Sequence, residues 1–396
     1  MVPSASRAAA NVQLVVDGLV ERAAERAGLD DLGSDSWREG LTILVDSLET
    51  TPGVITDGRD NVYGRFVDAL WNRLRIVDYL KRHPDIAGLR VERPLVVLGL
   101  PRTGTTVASC LLDQDPARRS LLNWEASDSV PPPTTAALRS DPRCVAKKAQ
   151  LDELALALQA ARFPIPHWED ADGPTECTFV LNQDFKALLW ESFMPTPAYA
   201  DWFLDADVMS AYEYERSVLQ LLQSSAPGVW SLKMPSHAVH LDTLLAVFPD
   251  ARLVWAHRDP YRATASALSM YQMARARANG PDVDGAVIAS TLRLLAAHVD
   301  RPLRTRAAIG DDRFFHLHYS DLLRDPMRQM HALYEWAGDE LTPDVEAAML
   351  RWLERNPQHR FGVRPYALDE YGLMESDLEP LYADYLSVFE IELERG

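Results

Sequence analysis

A short segment with two glycines, three threonines and an arginine has the composition of an anion-binding loop. It reads Gly-Leu-Pro-Arg-Thr-Gly-Thr-Thr over residues 99–106 and follows the unbroken apolar run 95–98. Such a run is typical of a strand buried on both faces of a parallel sheet, and the apolar period becomes helical from Thr105. Loop amides and the first free N–H groups of a helix converge on one point, where the helix dipole favours negative charge. The segment therefore predicts a phosphate site, with an ordinary tight turn as the alternative.

The spacing of Gly99 and Gly104 is that of the P-loop of nucleotide triphosphatases, but the next residues differ from that motif. The P-loop requires Lys and then Ser or Thr after its last glycine, whereas this chain has two threonines. The lysine that would reach the terminal phosphates is missing, and the cation lies inside the loop as Arg102. A P-loop kinase or nucleotidase is therefore an alternative that this departure disfavours.

Charged residues follow several predicted strands. Apolar runs that alternate with helical patterns predict further strands at 120–124, 229–235, 251–256 and 314–318. Strands that alternate with helices form a mainly parallel sheet, whose ligands bind at the carboxyl ends of the strands. Four charged side chains are predicted at those ends: Arg102, Glu125, Lys233 and Arg258. This set favours an anionic ligand, and a non-catalytic module that binds a phosphorylated ligand is a second alternative.

The expected architecture is an α/β, P-loop-like three-layer fold with a central, mainly parallel β-sheet flanked by helices. Helical spacing of apolar residues precedes it at about 11–26, from 36 onward and at about 60–81. We therefore expect a helical N-terminal cap over residues 1–90, packed on the core. An α/β domain follows over residues 91–396, and the two are expected to form one continuous globular unit.

Composition narrows the class of protein. The chain has 396 residues, 47% of them hydrophobic and 25% charged, which is ordinary for a soluble globular protein with a sizeable core. Its net charge of −18 argues against nucleic-acid binding, which needs a cationic surface. Three cysteines without metal-type spacing predict neither a disulfide framework nor a zinc site. No signal peptide or apolar span is evident, so we expect a cytoplasmic protein, with peripheral membrane contact and oligomeric state left open.

Four motifs together resemble the sulfotransferase family, whose members use 3′-phosphoadenosine 5′-phosphosulfate (PAPS). They are the loop 99–106, Leu-Lys-Met-Pro-Ser-His at 232–237, His-Arg-Asp-Pro at 257–260 and Tyr-Ser-Asp-Leu-Leu-Arg-Asp-Pro at 319–326. The likeness covers roughly residues 94–375 and is closest to large bacterial members with a Pro-Arg-Thr-Gly-Thr-Thr loop. It implies transfer of the sulfuryl group of PAPS to a hydroxyl by direct in-line displacement, with no metal.

The resemblance also assigns roles to residues. The 5′-phosphosulfate would be held by Pro101, Arg102, Thr103, Gly104, Thr105 and Thr106. The 3′-phosphate would be bound by Arg258 and Ser266, a guanidinium and a hydroxyl that can grip one phosphate from two sides. Because such a transfer consists of positioning and of stabilising the leaving oxygen, Arg102 and Lys233 are the expected catalytic cations.

The general base that takes the acceptor's proton stays open between several residues. Glu125 follows the predicted strand 120–124, where some related enzymes carry a glutamate. His237 lies near the position of the base histidine of the cytosolic branch, although its spacing differs. Glu176 is a third and weaker candidate.

Two further segments bear on ligands. Residues 356–372 resemble the segment that folds over the nucleotide in related enzymes, and Arg360 and Arg364 would neutralise the 3′-phosphate; surface salt bridges are the alternative. Residues 163–205 are rich in aromatic side chains, which fill cores and line ligand pockets alike. The acceptor is accordingly expected to be a small, apolar or lipid-like alcohol or phenol.

Overall fold

The structure is a computed structural model that describes residues 5–51, 56–161, 168–279, 285–357 and 366–394. Its centre is a five-stranded sheet. The strands are β1 (Leu95–Gly99), β2 (Arg118–Ser120), β3 (Val229–Lys233), β4 (Arg252–His257) and β5 (Phe314–His318). They lie in the order β2-β3-β1-β4-β5, and every neighbouring pair is parallel. The α/β class expected from the sequence is therefore confirmed.

Helices surround this sheet and precede it. In the described residues they are, in chain order, α1 (Ala5–Ala27), α2 (Ser36–Thr50), α3 (Thr56–Arg82), α4 (Thr105–Leu112), α5 (Asn123–Ser127), α6 (Pro142–Ala160), α7 (Thr178–Leu181), α8 (Trp190–Phe193), α9 (Pro197–Asp205), α10 (Met209–Gln223), α11 (Leu241–Val247), α12 (Pro260–Asn279), α13 (Gly285–Ile309), α14 (Tyr319–Arg324), α15 (Pro326–Ala337), α16 (Pro343–Arg355) and α17 (Glu375–Val388). Among them, none has both the length and the apolar character needed to cross a bilayer.

The two faces of β1 are buried in different hydrophobic clusters, because side chains alternate along a strand. Val96 and Leu98 belong to a cluster that also contains Leu70 and Leu74 of α3. The odd positions of the strand belong to a second cluster with residues of α4, α15 and α16. Helices on both faces make the molecule three-layered, and all five residues of β1 are buried, as its unbroken apolar run predicts.

The predicted strand 120–124 is wrong in its position. The strand β2 ends at Ser120, and α5 begins three residues later at Asn123. The local reason is a cap: the N–H of Leu122 donates to a carboxylate oxygen of Glu125 at 3.2 Å, which starts a helical turn. The order of strands also separates β2 from β1, since β3 lies between them.

The segment 235–247 between β3 and β4 is not one continuous helix. A short 3₁₀ turn covers Pro235–Ala238, and α11 starts only at Leu241. His240 between them has non-helical backbone angles, and its Nε2 lies 2.9 Å from the carbonyl oxygen of Phe203. This side-chain contact joins α9 to the break between the two helical pieces.

Candidate active site

Two glycines determine the course of the loop after β1. Gly99 has φ of +134°, and a Cβ there would lie 2.6 Å from the carbonyl oxygen of Ala256, so only glycine allows β4 to lie this close. Gly104 is the N-cap of α4 with φ of +89°. Between them Arg102 has φ of +69°, a left-handed conformation that costs a non-glycine residue about 1–2 kcal/mol. Strain of this kind is typical of ligand-binding loops.

The loop's threonines differ in what their hydroxyls do. Thr103 is fully buried and donates to the carbonyl oxygen of Leu100 at 2.7 Å, so its side chain shapes the loop. Thr105 is buried and Thr106 half-buried in the first turn of α4. The free N–H groups of that turn remain the anion-binding feature that the sequence indicates.

Arg102, Arg258 and Ser266 lie together at the carboxyl ends of β1 and β4. The Nε of Arg102 donates to Ser266 Oγ at 3.1 Å, and Nη1 of Arg258 donates to the carbonyl oxygen of Arg102 at 2.8 Å. Arg258 also stacks on the ring of Tyr319, 4.3 Å from its centroid. Burial lowers the pKa of the Arg102 guanidinium, with Arg258 adding to that effect. Two cations and a hydroxyl thus surround one point at the sheet edge.

The guanidinium of Arg258 forms an ion pair with the carboxylate of Glu394. The Nε and Nη2 of Arg258 donate to the two carboxylate oxygens of Glu394 at 2.5 and 2.8 Å. The backbone N–H of Glu394 donates to Asp259 at 2.8 Å, and the hydroxyl of Tyr366 lies 3.2 Å from Arg258. Burial acts to lower the pKa of Arg258, but the hydrogen bond to Glu394 and the electrostatic effects of Tyr366, Tyr319 and Glu394 together hold that pKa above its usual value.

Lys233, the last residue of β3, is 1% exposed and faces two carboxylates. Its Nζ donates to Glu169 at 2.9 Å and to Glu176 at 3.0 Å. Burial acts to lower the pKa of Lys233, but the two carboxylates raise it above its usual value, so the side chain stays a cation. Register pairs Lys233 with Val97 of β1, two residues before Gly99.

Glu176 also lines a small cavity beside the loop. The cavity measures about 80 Å³, and its walls include Pro101, Ser236, Tyr271 and Glu191. Glu176 keeps 26% of its side chain exposed, whereas Glu169 keeps 6%. Of the two carboxylates on Lys233, Glu176 is therefore the accessible one, next to the loop that the sequence indicates for the anion.

Comparison with known proteins agrees with this geometry. The sequence model of the sulfotransferase family matches residues 94–343. The chain belongs to the sulfotransferase family. Sulfotransferase STF9 from Mycobacterium avium has the same fold with a TM-score of 0.89; it is 51% identical, and the match covers 96% of this chain and 98% of that one. Sulfotransferase STF1 from Mycobacterium tuberculosis H37Rv matches with a TM-score of 0.82 and 29% identity, over 93% of this chain and 98% of that one.

Curated sulfotransferases are more distant. The omega-hydroxy-beta-dihydromenaquinone-9 sulfotransferases Stf3 of Mycobacterium bovis and Mycobacterium tuberculosis are 26% identical over 271 residues. The alignment covers 62% of this chain and 63% of those proteins, so the chain spans less than two thirds of the length of these relatives.

Glu125, the first candidate for the general base, lies in a closed environment. Its side chain has no exposed surface, and its carboxylate is paired with Arg119, which is also buried. The other oxygen accepts the N–H of Leu122. β3 lies between β2 and β1, so the strand that precedes Glu125 is not a direct neighbour of the loop strand. Its role as a base stays a prediction, which this burial disfavours.

His237, the second candidate, is likewise buried. It has no exposed surface, and its Nδ1 lies 3.0 Å from the hydroxyl of Tyr212. Burial lowers the pKa of the imidazole to about 3, so the ring is neutral at physiological pH. A neutral imidazole can accept a proton, but no solvent-accessible surface connects it to an acceptor here.

Two predicted phosphate ligands, Arg360 and Arg364, lie outside the described residues. The sequence did not predict three residues of the site: Glu169, Glu191 and Glu394. None of them follows a strand or belongs to a recognisable motif, so no local signal marked them. Only the contacts to Lys233, to the cavity and to Arg258 reveal them.

Proposed function

We propose that this chain transfers the sulfuryl group of PAPS to a hydroxyl group of a small, apolar or lipid-like acceptor. The observation that carries the proposal is the meeting of Arg102, Lys233 and Arg258 at the carboxyl ends of three adjacent parallel strands. These strands, β3, β1 and β4, are neighbours in the sheet, so the three cations can act on one ligand with several negative charges.

The donor would bind with its two ends at different cations. The 5′-phosphosulfate would lie against the loop 99–104 and the N-terminus of α4, where N–H groups and Arg102 favour an anion. The 3′-phosphate would lie at Arg258 and Ser266, in place of the Glu394 carboxylate. A carboxylate bound through two charged hydrogen bonds supports this assignment, since the same guanidinium geometry suits a phosphate oxygen pair.

In the transfer, the acceptor oxygen attacks sulfur while the bond from sulfur to the bridging oxygen breaks. Negative charge then gathers on the bridging oxygen of the departing nucleotide, and cations near it lower the barrier. Lys233 suits this role because its buried ammonium is held in one place by two carboxylates. Arg102 suits it because the strained loop aims its side chain along the same edge.

We assign the role of general base, which takes the proton of the acceptor hydroxyl, to Glu176 in preference to Glu125 and His237. A base must come within hydrogen-bond reach of the hydroxyl, directly or through one water. Glu176 lines the cavity next to Pro101 and stays partly exposed, whereas the other two side chains are fully enclosed. The proton would pass from the acceptor oxygen to a carboxylate oxygen of Glu176 as the new oxygen–sulfur bond forms.

The aromatic side chains of a second cavity support the apolar acceptor. It measures about 520 Å³ and has aromatic walls from Trp71, Trp124, Phe179 and Trp190. The segment 188–192 separates the two cavities, since Leu188 and Glu191 line the small one and Leu189 and Trp190 the large one. Charged side chains line the same cavity, among them Asp68, Arg143 and Lys147, so only its aromatic walls favour an apolar ligand. The name of the curated relatives, which states a hydroxylated dihydromenaquinone, is compatible with such an acceptor.

The first experiment measures nucleotide binding by thermal shift and calorimetry. 3′-Phosphoadenosine 5′-phosphate (PAP) should stabilise the protein without magnesium, and ATP with magnesium should not. Stabilisation by ATP and magnesium alone would favour a kinase or nucleotidase, and no response to either would favour a non-catalytic module.

The second experiment tests the 3′-phosphate assignment. Arg258→Ala should weaken PAP binding by about 1.5–3 kcal/mol, the usual loss for a charged hydrogen bond. Adenosine 5′-phosphosulfate, which lacks the 3′-phosphate, should lose much less. Equal losses for both ligands would show that Arg258 does not read the 3′-phosphate. Arg262→Ala is the matched control, because Arg262 is four residues after Arg258, in the first turn of α12, and lies over the ring of Tyr366.

A further inference from the structure

Three potential metal ligands meet in the interior next to the Lys233–Glu176 pair. Cys177 follows Glu176, and its N–H donates to the carbonyl oxygen of Lys233 at 3.0 Å. His237 lies four residues after Lys233, and Glu215 belongs to α10. The thiol sulfur, a carboxylate oxygen and a ring nitrogen of these residues lie within 4.8 Å of one another. All three side chains are buried, with at most 1% exposed.

The polar atoms of this cluster lack ordinary partners. Among the described residues, Nε2 of His237 has no hydrogen-bond partner, and the carboxylate of Glu215 interacts only with the thiol of Cys177 inside the cluster. Nearly all buried polar atoms in proteins are paired, and an unpaired buried carboxylate is costly. The carboxylate and the imidazole nitrogen thus lie near each other without a hydrogen bond between them. An atom placed between them would satisfy both.

The surroundings of His237 suit a metal ligand. Its Nδ1 lies 3.0 Å from the hydroxyl oxygen of Tyr212. Histidines that bind a metal through one nitrogen usually donate the N–H of the other to an oxygen, which orients the ring. When Nδ1–H donates to Tyr212, the lone pair of Nε2 points towards the cluster.

We propose that Cys177, Glu215 and His237 form a binding site for a zinc-like divalent transition-metal ion. A sulfur, an imidazole and a carboxylate are the donors that zinc prefers, whereas calcium and magnesium require oxygen ligands. With bonds of about 2.0–2.3 Å, tetrahedral ligand atoms lie about 3.3–3.8 Å apart. The three groups therefore need to close by about 1.5 Å at most. Binding releases the thiol proton to solvent, because the thiolate is the ligand.

The ion's role would be structural. It would join Cys177, which follows Glu176, to Glu215 of α10 and to His237 in the turn that follows Lys233 at the end of β3. None of the three ligands has appreciable exposed surface, so an acceptor does not reach the ion. The inference is independent of sulfuryl transfer, and a metal-ligating His237 is unavailable as a general base.

The test uses the full chain and cobalt as a coloured substitute for zinc. After dialysis against a chelator, the protein is titrated with Co²⁺ and read by absorption, and zinc uptake is measured by elemental analysis. We expect one equivalent of metal per chain and a thiolate-to-cobalt charge-transfer band. Added Zn²⁺ should abolish the band and raise the midpoint of thermal unfolding.

Variants then locate the site. Cys177→Ser should lose the charge-transfer band, and His237→Gln should lose most of the affinity for zinc. Cys144→Ser is the matched control, because Cys144 is also buried and unpaired in disulfides but belongs to a separate cluster with Leu122 and Trp124. The charge-transfer band of the Cys144→Ser protein should be the same as that of the wild type. A folded wild-type protein that takes up no metal and shows no band would overturn the proposal, whether or not the variants fold.

Discussion

Glu176 and Glu125 are both carboxylates near the ends of parallel strands, but their partners differ. Glu176 shares the ammonium of Lys233 with Glu169 and faces a cavity, whereas Glu125 is closed in with Arg119. Glu125 and Arg119 form a buried ion pair, which contributes to the structure. Neither of the two side chains faces a substrate. We therefore expect Glu176→Gln to lower turnover and Glu125→Gln to lower stability.

Glu176→Gln should lower turnover about 10²–10⁴-fold, the usual contribution of a general base. The enzyme is measured with saturating PAPS and an accepted alcohol, and PAP binding should stay near normal. Glu169→Gln is the matched control, because it removes the other carboxylate of Lys233 without touching the cavity. Its loss in turnover should be clearly smaller.

Glu125→Gln should act on stability instead. It leaves Arg119 buried without its charged partner, which typically costs about 3–5 kcal/mol. We expect a lower midpoint of thermal unfolding with near-normal turnover per folded molecule. A stable Glu125→Gln protein without activity, beside an active Glu176→Gln protein, would return the role of base to Glu125.

Lys233 offers a test of transition-state stabilisation. Lys233→Met keeps the length of the side chain but removes the charge. Because charge on the bridging oxygen grows only during transfer, turnover should fall about 10²–10³-fold while PAP binding weakens far less. The measurement pairs steady-state kinetics with calorimetry. An unchanged turnover with a raised Michaelis constant would make Lys233 a binding residue alone.

At the scale of elements, the segment after α17 reaches the sheet edge where the proposed function places the nucleotide. The chain leaves the helix at Val388, and Glu394 reaches both Arg258 and Asp259. This carboxylate lies where the proposed function requires a phosphate, so the two anions must compete for one guanidinium. The C-terminal segment would then set the affinity for the donor.

Glu394→Gln should therefore tighten PAP binding about 2–5-fold, since a partly exposed ion pair is worth up to about 1 kcal/mol. Binding of adenosine 5′-phosphosulfate should change little, because it has no 3′-phosphate to compete. Glu392→Gln is the matched control, two residues away and 3.5 Å from Arg324. Calorimetry distinguishes two failures: an unchanged PAP affinity rejects the competition, whereas no PAP binding by the wild type rejects the proposed function.

At the scale of the whole molecule, buried acids link stability to pH. Burial raises the pKa of Glu191 to about 7, although its hydrogen bond with Thr196 and the nearby Arg275 oppose the shift. The folded protein thus keeps a proton that the unfolded chain releases near its ordinary pKa of about 4.5. Stability from this group is complete below about pH 4.5 and is lost as the pH rises to about 7.

Glu191→Gln should remove this dependence, since glutamine stays neutral and keeps an oxygen for Thr196. Relative to the wild type, the variant should gain roughly 1–3 kcal/mol of unfolding free energy between about pH 5 and about pH 8. Urea unfolding at both pH values measures the difference. A variant-to-wild-type difference that is the same at both would contradict the raised pKa.

The sequence by itself determined the parts of this protein that depend on neighbours along the chain. An unbroken apolar run predicts a buried strand, and β1 is buried along its whole length. Two glycines separated by four residues predict a tight loop before a helix, and α4 starts at Thr105 as its period indicates. Placing Lys233 and Arg258 at strand ends followed from the same local patterns, because parallel strands end at one edge.

Only the tertiary structure decided which charges face one another. The carboxylates on Lys233 come from residues 57 and 64 positions earlier, and Glu394 meets Arg258 across 136 positions. No periodicity encodes such pairs, since they depend on how helices pack on the sheet. The order of strands likewise places β3 between β1 and β2, so the strand that precedes Glu125 is not a direct neighbour of the loop strand although it follows the loop helix in sequence. Local patterns specify strand ends, but burial and partners at those ends come from long-range packing.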